Sequence, residues 1–204
     1  MSIKITVCVP STDMVWSDFA FSMNACLLYT MMRGQQLTAI INKKGSIIHQ
    51  ARCALVQDAI DSGATHMMFM DSDHVFPKDL IVRLSKHNKV VVGVHQTTKR
   101  FPVRSNVEDL EGKRLTNGSG TGLQEVKHLG TGLMLINLKV FKDMPKPYFD
   151  FQYDETLTWI GEDYHFCNQV RDLGFRIYVD HDLSKECYHI GPRAFGVTDL
   201  KEPA

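Results

Sequence analysis

The amino-acid sequence predicts an α/β fold built on an open, mostly parallel sheet with helices on its faces. Short β-branched or apolar runs alternate with helical segments between residues 3 and 94, in the order β-α-β-α-β-α-β. The run at residues 65–70 is largely apolar and too short for a helix, as expected for a strand buried on both faces of a parallel sheet. With 204 residues, the chain has a length that one domain accommodates, and we expect a single domain over residues 1–204.

Glycine, proline and helix-capping residues mark the limits of the individual elements. Gly34 and Gly63 offer stops for the first two helices. Residues 95–125 are polar and are predicted to form a long loop or small hairpin region, which in a compact domain is usually functional or mobile. The predicted elements are a strand at 3–9, a helix from residue 17, a strand at 37–42, a helix capped by Ser46, a strand at 65–70, a helix from Pro77, strands at 90–94 and 133–138, a helix at 162–173 and a strand at 175–179.

Composition excludes several classes of protein. The 23 Lys and Arg residues balance the 23 Asp and Glu residues, which argues against holding nucleic acid or anionic lipid through an overall positive field. No apolar stretch reaches the roughly 20 residues that span a bilayer, and the N-terminal residues do not resemble a signal peptide, so we expect a cytoplasmic protein without a membrane span. The five cysteines include no C-x-x-C pair, which favours free thiols over disulfides or a zinc site.

The most informative motif is Asp71-Ser72-Asp73, directly after the buried strand at 65–70. Ligands of open α/β sheets bind outside the carboxyl ends of the strands, which puts both carboxylates at the mouth of a site. One carboxylate can accept a hydrogen bond from a sugar hydroxyl while the other binds a hard divalent cation. The alternative is an ordinary surface turn, because turns favour Asp and Ser.

Two further motifs could serve in catalysis or metal binding, and the presence of each also has a purely structural explanation. Glu162 and Asp163 begin the predicted helix at 162–173, where acidic residues offset the helix dipole, and where a carboxylate can also act as a general base on an acceptor hydroxyl. His189 is either a structural histidine or a ligand to a cation held by Asp73. One imidazole beside a carboxylate favours Mn²⁺ over Ca²⁺.

Taken in order along the chain, these segments resemble the GT-A fold glycosyltransferases, and the family 2-like enzymes in particular. The resemblance extends from the strand end at residues 7–10 to His189. Its order and spacing are more specific than any single motif. The segments that carry it are Asp71-Ser72-Asp73, Gly130-Thr131-Gly132 before an apolar strand, Gly161-Glu162-Asp163-Tyr164 and the late His189.

The resemblance implies transfer of a sugar from a nucleotide-sugar donor, most simply a UDP- or GDP-sugar, to an acceptor that the sequence does not identify. It implies that Asp71 and Ser72 contact the donor, that Asp73 and His189 bind Mn²⁺ or Mg²⁺, and that Asp163 or Glu162 activates the acceptor if the enzyme inverts. The nucleotide-sugar part would comprise about residues 1–94 and the acceptor part about residues 95–195.

Other residues enter the site through the same resemblance. Pro10, Ser11 and Thr12 lie where such folds contact the nucleoside, and Gly130, Thr131 and Gly132 lie where backbone approaches a ligand. Arg52 matches an arginine near the nucleotide, although a surface salt bridge is an equal alternative. The role of His74 is left open as a ligand or a neighbour of the ligands. The aromatic residues between 148 and 159 either stack on a ligand or belong to the core.

Two other functional classes compete with a glycosyltransferase. A sugar-phosphate nucleotidyltransferase has a similar layout, but such enzymes carry a glycine-rich, basic loop after the first strand, and here the segment is Pro10-Ser11-Thr12-Asp13. A non-catalytic nucleotide-sugar-binding module is the third class. The presence of Asp73, Asp163 and His189 together argues against such a non-catalytic module.

Overall fold

The computed structural model describes residues 3–116, 118–191 and 193–200, and a seven-stranded sheet forms its centre. The strands are β1 (Lys4–Ser11), β2 (Gln36–Lys44), β3 (His66–Met70), β4 (His74–Val75), β5 (Val91–Val94), β6 (Leu123–Val126), β7 (Leu133–Asn137), β8 (Gln152–Tyr153), β9 (Trp159–Ile160), β10 (Ile177–Asp180), β11 (Tyr188–Ile190) and β12 (Ala194–Phe195). The helices are α1 (Ser17–Met32), α2 (Ile48–Asp61), α3 (Leu80–Lys86), α4 (Glu162–Asp172) and α5 (His181–Ser184), with 3₁₀ turns at Leu138–Phe141 and Val197–Asp199.

The central sheet has the order β2-β1-β3-β7-β5-β10-β6 and confirms the predicted α/β class. Strands β2, β1, β3, β5 and β10 share one direction, whereas β7 and β6 run antiparallel to their neighbours. In the pairing of β3 with β7, Met70 lies opposite Leu133. Because β7 therefore begins where β3 ends, the turn at residues 130–132 lies next to Asp71.

The sheet separates two apolar cores, and β1 contributes to both. Its residues Ile5, Val7 and Val9 belong to the core beneath α1 and α3, while Cys8 belongs to the core beneath α2 and α4. This alternation is the period-2 pattern of a strand. Strand β3 is likewise buried on both faces, as the sequence predicts.

Some element boundaries differ from those predicted. Helix α2 is not capped by Ser46: its N-cap is Ile47, and no side chain caps the helix. Helix α3 begins at Leu80, because the residues after Pro77 first form a turn. In the polar region at 95–125 the structure agrees with the hairpin alternative, because the region contains antiparallel bridges such as Thr97 with Ser105; it ends in β6 at the edge of the main sheet.

A second sheet, of three strands, brings the C-terminal strands β11 and β12 next to the segment that follows β3. Its order is β12-β11-β4, and the pairing of β11 with β4 sets His189 opposite His74. The backbone N–H of Ile190 also donates to the carbonyl of Asp73 at 2.7 Å. Two histidines that are far apart in sequence are therefore fixed beside the second carboxylate of the D-x-D triplet.

The cysteines match expectation, since all five are free thiols. In the part of the chain that the structure describes, no helix has both the length and the apolar character that crossing a bilayer requires.

The burial of β3 leads to a prediction about stability. Met68 is 0% exposed and Met14 is 81% exposed, so the two methionines form a matched pair. Replacing Met68 with Ala removes buried methylenes and should lower the free energy of unfolding by about 2–5 kcal/mol, whereas Met14→Ala should change it by less than about 0.5 kcal/mol. Urea unfolding of both variants measures the difference, and equal effects would contradict this assignment of the core.

Candidate functional site

A cleft of about 390 Å³ lies outside the carboxyl ends of β1 and β3. It is lined by the predicted residues Pro10, Ser11 and Thr12 on one side and Asp71-Ser72-Asp73 on the other. The Ser11 hydroxyl accepts a hydrogen bond from the Asn42 side chain at 2.8 Å, which ties the end of β1 to β2. The structure thus brings these two predicted segments together at the edge of the sheet where α/β proteins bind ligands.

Asp73 stands at the centre of a cluster of cationic and imidazole groups. Its Oδ2 lies 3.3 Å from Nε2 of His189 and in direct contact with the Lys99 ammonium. Its Oδ1 lies 3.2 Å from Nδ1 of His74. The rings of His74 and His189 stack with their centroids 4.3 Å apart, as their pairing between β4 and β11 requires.

The Asp73, His74 and His189 side chains fit a divalent cation. Each of them offers one ligand atom, and these atoms all lie within 4.8 Å of one another. His74 is 2% exposed, and its Nε2 has no hydrogen-bond partner among the described residues, so a buried lone pair or N–H is left unsatisfied. A carboxylate with two imidazoles suits Mn²⁺ better than Ca²⁺.

The orientation and protonation of this cluster favour binding of a cation. Nδ1 of His189 lies 2.8 Å from the Thr97 carbonyl, which leaves Nε2 directed at Asp73. Burial lowers the pKa of His74 and outweighs the opposing effect of its contact with Asp73, so the ring is neutral at pH 7. Burial works against ionisation of Asp73, but its contacts with His189 and His74 outweigh burial and hold its pKa well below the usual range.

Arg52 lies buried between the two acidic motifs of the site and is not part of a surface salt bridge. Its Nη2 donates to both carboxylate oxygens of Asp71, at 3.0 and 3.2 Å, and its Nη1 donates to Glu162. The Arg52 side chain is only 5% exposed. Burial opposes its charge, but the carboxylates of Asp71 and Glu162 outweigh burial and raise its pKa.

Glu162 and Asp163 form the first turn of α4, as predicted. Glu162 is paired with Arg52, whereas Asp163 accepts a hydrogen bond from the backbone N–H of Tyr164 at 2.9 Å. Burial, reinforced by the charge of Glu162, raises the pKa of Asp163 to about 6. A carboxyl group with a pKa near the working pH is suited to general base catalysis.

The Gly130-Thr131-Gly132 segment lies behind the cleft and supports it. A Cβ atom at Gly132 would come within 2.8 Å of the His74 ring and 2.9 Å of the Asp71 carboxylate. The Gly132 carbonyl accepts the Asp71 backbone N–H at 2.7 Å. Gly132 therefore allows β7 to approach the acidic motif closely, and Thr131 is buried beside it with 1% exposure.

The aromatic residues near the site divide into core and surface. Tyr148 and Phe149 belong to the core. Trp159 and Tyr153, on the β8–β9 hairpin that precedes α4, are 53% and 62% exposed, and their rings lie 5.3 Å apart. This hairpin therefore presents an aromatic surface next to Glu162 and Asp163 in the sequence.

Sequence reasoning did not assign Lys99 or Trp16 to the cleft. Lys99, which contacts Asp73, and Trp16, which is 48% exposed, belong to the same cleft as the D-x-D triplet. An aromatic residue just before the first helix was a usable signal for Trp16. No local signal pointed to Lys99, because its contact with Asp73 spans 26 residues.

No family model and no curated protein matches this sequence. Among solved structures, A197 from STIV is similar over 98% of this chain and 92% of that chain, with 18% identity and a TM-score of 0.64. A mutant β-1,4-galactosyltransferase 7 from Drosophila, in complex with manganese, UDP-Gal and xylobiose, is similar over 93% of this chain and 71% of that chain, with 13% identity and a TM-score of 0.51. The chain has a glycosyltransferase-like fold.

The buried ion pairs of Arg52 lead to a second prediction. Arg52→Met leaves Asp71 and Glu162 as partly buried carboxylates without their cation and should lower the free energy of unfolding by about 3–5 kcal/mol. The control is Lys43→Met, which breaks an exposed pair with Asp58 and should cost no more than about 1 kcal/mol. Neutralising both carboxylates in the Arg52→Met background should restore part of the loss. Equal stability of the two single variants would contradict a stabilising role for the ion pairs of Arg52 with Asp71 and Glu162.

Proposed function

We propose that this protein is a metal-dependent glycosyltransferase that moves a sugar from a UDP- or GDP-sugar to a hydroxyl group of an acceptor. The observation that carries the proposal is the group formed by Asp73, His74 and His189 at the cleft that Asp71 and Asp73 line. Arg52 connects Asp71 to Glu162, the neighbour of Asp163 in the first turn of α4. The fold supports the same chemistry, because a galactosyltransferase structure with manganese and UDP-Gal shares it.

The donor would occupy the cleft between the ends of β1 and β3. Pro10, Ser11 and Thr12 would contact the nucleoside, and the exposed ring of Trp16 offers a face for stacking. Asp71 is 24% exposed, so its carboxylate can accept a hydrogen bond from a donor hydroxyl while Arg52 fixes its orientation. Arg52 would then act as a positioning residue rather than a direct contact of the nucleotide.

The diphosphate end of the donor would lie at Asp73. Asp73, His74 and His189 would hold Mn²⁺ or Mg²⁺, which supplies Lewis-acid compensation for the charge on the departing nucleoside diphosphate. The Lys99 ammonium shares the Asp73 carboxylate in this structure and is 40% exposed, so it can move to pair with a phosphate oxygen instead.

The transfer step would use Asp163 as the base. The acceptor oxygen forms a bond to the anomeric carbon as the bond from that carbon to the diphosphate oxygen breaks, and Asp163 takes the acceptor proton. This direct displacement inverts the anomeric carbon. Trp159 and Tyr153 provide aromatic faces on which an acceptor sugar ring can stack. The acceptor part would thus be drawn from residues 95–195.

The competing functions are separated by their products. A thermal-shift screen of UDP- and GDP-sugars with and without Mn²⁺ identifies the donor, because stabilisation grows with ligand excess over Kd. A glycosyltransferase releases nucleoside diphosphate from that donor, a nucleotidyltransferase forms pyrophosphate from a nucleoside triphosphate, and a binding module does neither. Binding of the donor without turnover would overturn the proposed activity and leave the site assignment standing.

The proposed cation site leads to a third prediction. Asp73→Asn should abolish Mn²⁺ binding measured by calorimetry and, with it, the Mn²⁺-dependent binding of UDP. Asp13→Asn is the matched control, because Asp13 is exposed near the same cleft and pairs only with Lys44 among the described contacts. Unchanged Mn²⁺ binding by the Asp73 variant would refute the assignment.

The raised pKa of Asp163 leads to a fourth prediction. The base must be ionised, so kcat/KM should rise with pH through about 6 and level off above it. Asp163→Asn should lower kcat by about 10²–10⁴-fold, abolish this limb of the pH profile and leave donor binding unchanged. Asp172→Asn, at the exposed far end of α4, should behave as the unmodified protein. A variant at 163 that keeps the same pH profile would exclude Asp163 as the base.

A further inference from the structure

Helix α1 carries an apolar seam on the side that faces away from the sheet. Its inner side is buried in the core through Phe19, Cys26 and Leu27. On the outer side, Phe21 is 77% exposed, Leu28 is 63% exposed and Met32 is 83% exposed, and Ala25 between them is exposed as well. The spacing of these residues alternates between three and four, which is the pattern of a helix that packs along another helix.

This outer side is unlike an ordinary solvated surface. Asp18 is the only charged residue within α1, and the next is Arg33, directly after the helix. Met31, which is 59% exposed, widens the exposed apolar surface beside the seam. A row of exposed apolar residues along one side of a helix is typical of a protein interaction surface.

We propose that the seam of α1 packs antiparallel against the seam of α1 in a second copy of this chain, with a two-fold axis near Ala25. Antiparallel pairing about this point places Phe21 beside the partner's Leu28, and Leu28 beside the partner's Phe21. Ala25 faces the partner's Ala25, where a small side chain allows the helices to approach closely at their crossing. Phe21, Ala25 and Leu28 are therefore complementary to the same three residues of the partner, as a two-fold interface requires. Met32 lies at the edge of the contact, beside the first turn of the partner's helix.

The charges at the ends of α1 select the same partner. The antiparallel arrangement brings Asp18 near the partner's Arg33, and the two-fold axis repeats the pair. Opposed helix dipoles add to the attraction. A lipid surface fits less well, because helices that lie on membranes carry Lys and Arg along their polar face, and α1 contains neither.

The first test is the molar mass of the chain in solution, measured by light scattering and by sedimentation. We expect a dimer, and we expect the double variant Phe21→Glu with Leu28→Glu to be a folded monomer whose dimerisation is at least about a hundredfold weaker, because it places four acidic groups in an apolar contact. Leu110→Glu, at another exposed leucine, should remain dimeric. A monomeric wild-type chain, including one that binds anionic vesicles through α1, would overturn the proposal, as would a dimeric double variant.

The second test examines the antiparallel register. Ala25→Cys should form an intermolecular disulfide under mild oxidation, whereas Leu110→Cys should not; four of the native cysteines are buried and contribute little background. Asp18→Lys and Arg33→Glu should each weaken dimerisation by about tenfold, and the double charge swap should restore it. Absence of both the disulfide and the rescue would overturn the antiparallel arrangement even if the chain is dimeric.

Discussion

The buried guanidinium of Arg52 is the interaction on which the candidate site depends. It joins three elements that are distant in sequence: α2, the end of β3 and the start of α4. Without a cation between them, the carboxylates of Asp71 and Glu162 would repel each other in a region of low dielectric. Arg52 also attracts Asp163, so a single buried positive charge acts on the carboxylates of both acidic motifs.

Although the chain has no net charge, two cationic side chains with different roles lie at the candidate site. Arg52 is 5% exposed and is permanently engaged, so it acts as part of the framework. Lys99 is 40% exposed and contacts Asp73, which belongs to the group of residues able to hold a metal ion. Any cation that binds Asp73 must share the carboxylate with Lys99 or displace it. Arg52 and Lys99 thus neutralise the acidic cluster in the absence of ligand, and a bound cation can replace Lys99 but not Arg52.

The sequence predicts the α/β class and the acidic motifs because both depend on local patterns. A run of apolar residues followed by Asp71-Ser72-Asp73 indicates a buried strand and its carboxyl end, and the structure confirms the strand. The environment of Arg52 could not be predicted, because the sequence around it is compatible both with an exposed salt bridge and with buried ion pairs to Asp71 and Glu162. The pairing of His74 with His189 depends on the register of two short strands, and neither strand has a sequence pattern of its own.

Because the outer side of helix α1 also carries apolar residues, their spacing alone does not distinguish the buried residues of this helix from the exposed ones. Phe19, Cys26 and Leu27 recur at helical spacing and are buried, but Met31 recurs at the same spacing and is 59% exposed. The backbone N–H of Trp16, directly before α1, donates to the carbonyl of Ser72 at 3.3 Å. The helix that carries the seam is therefore attached to the D-x-D turn, and a contact that steadied α1 would also steady the mouth of the cleft.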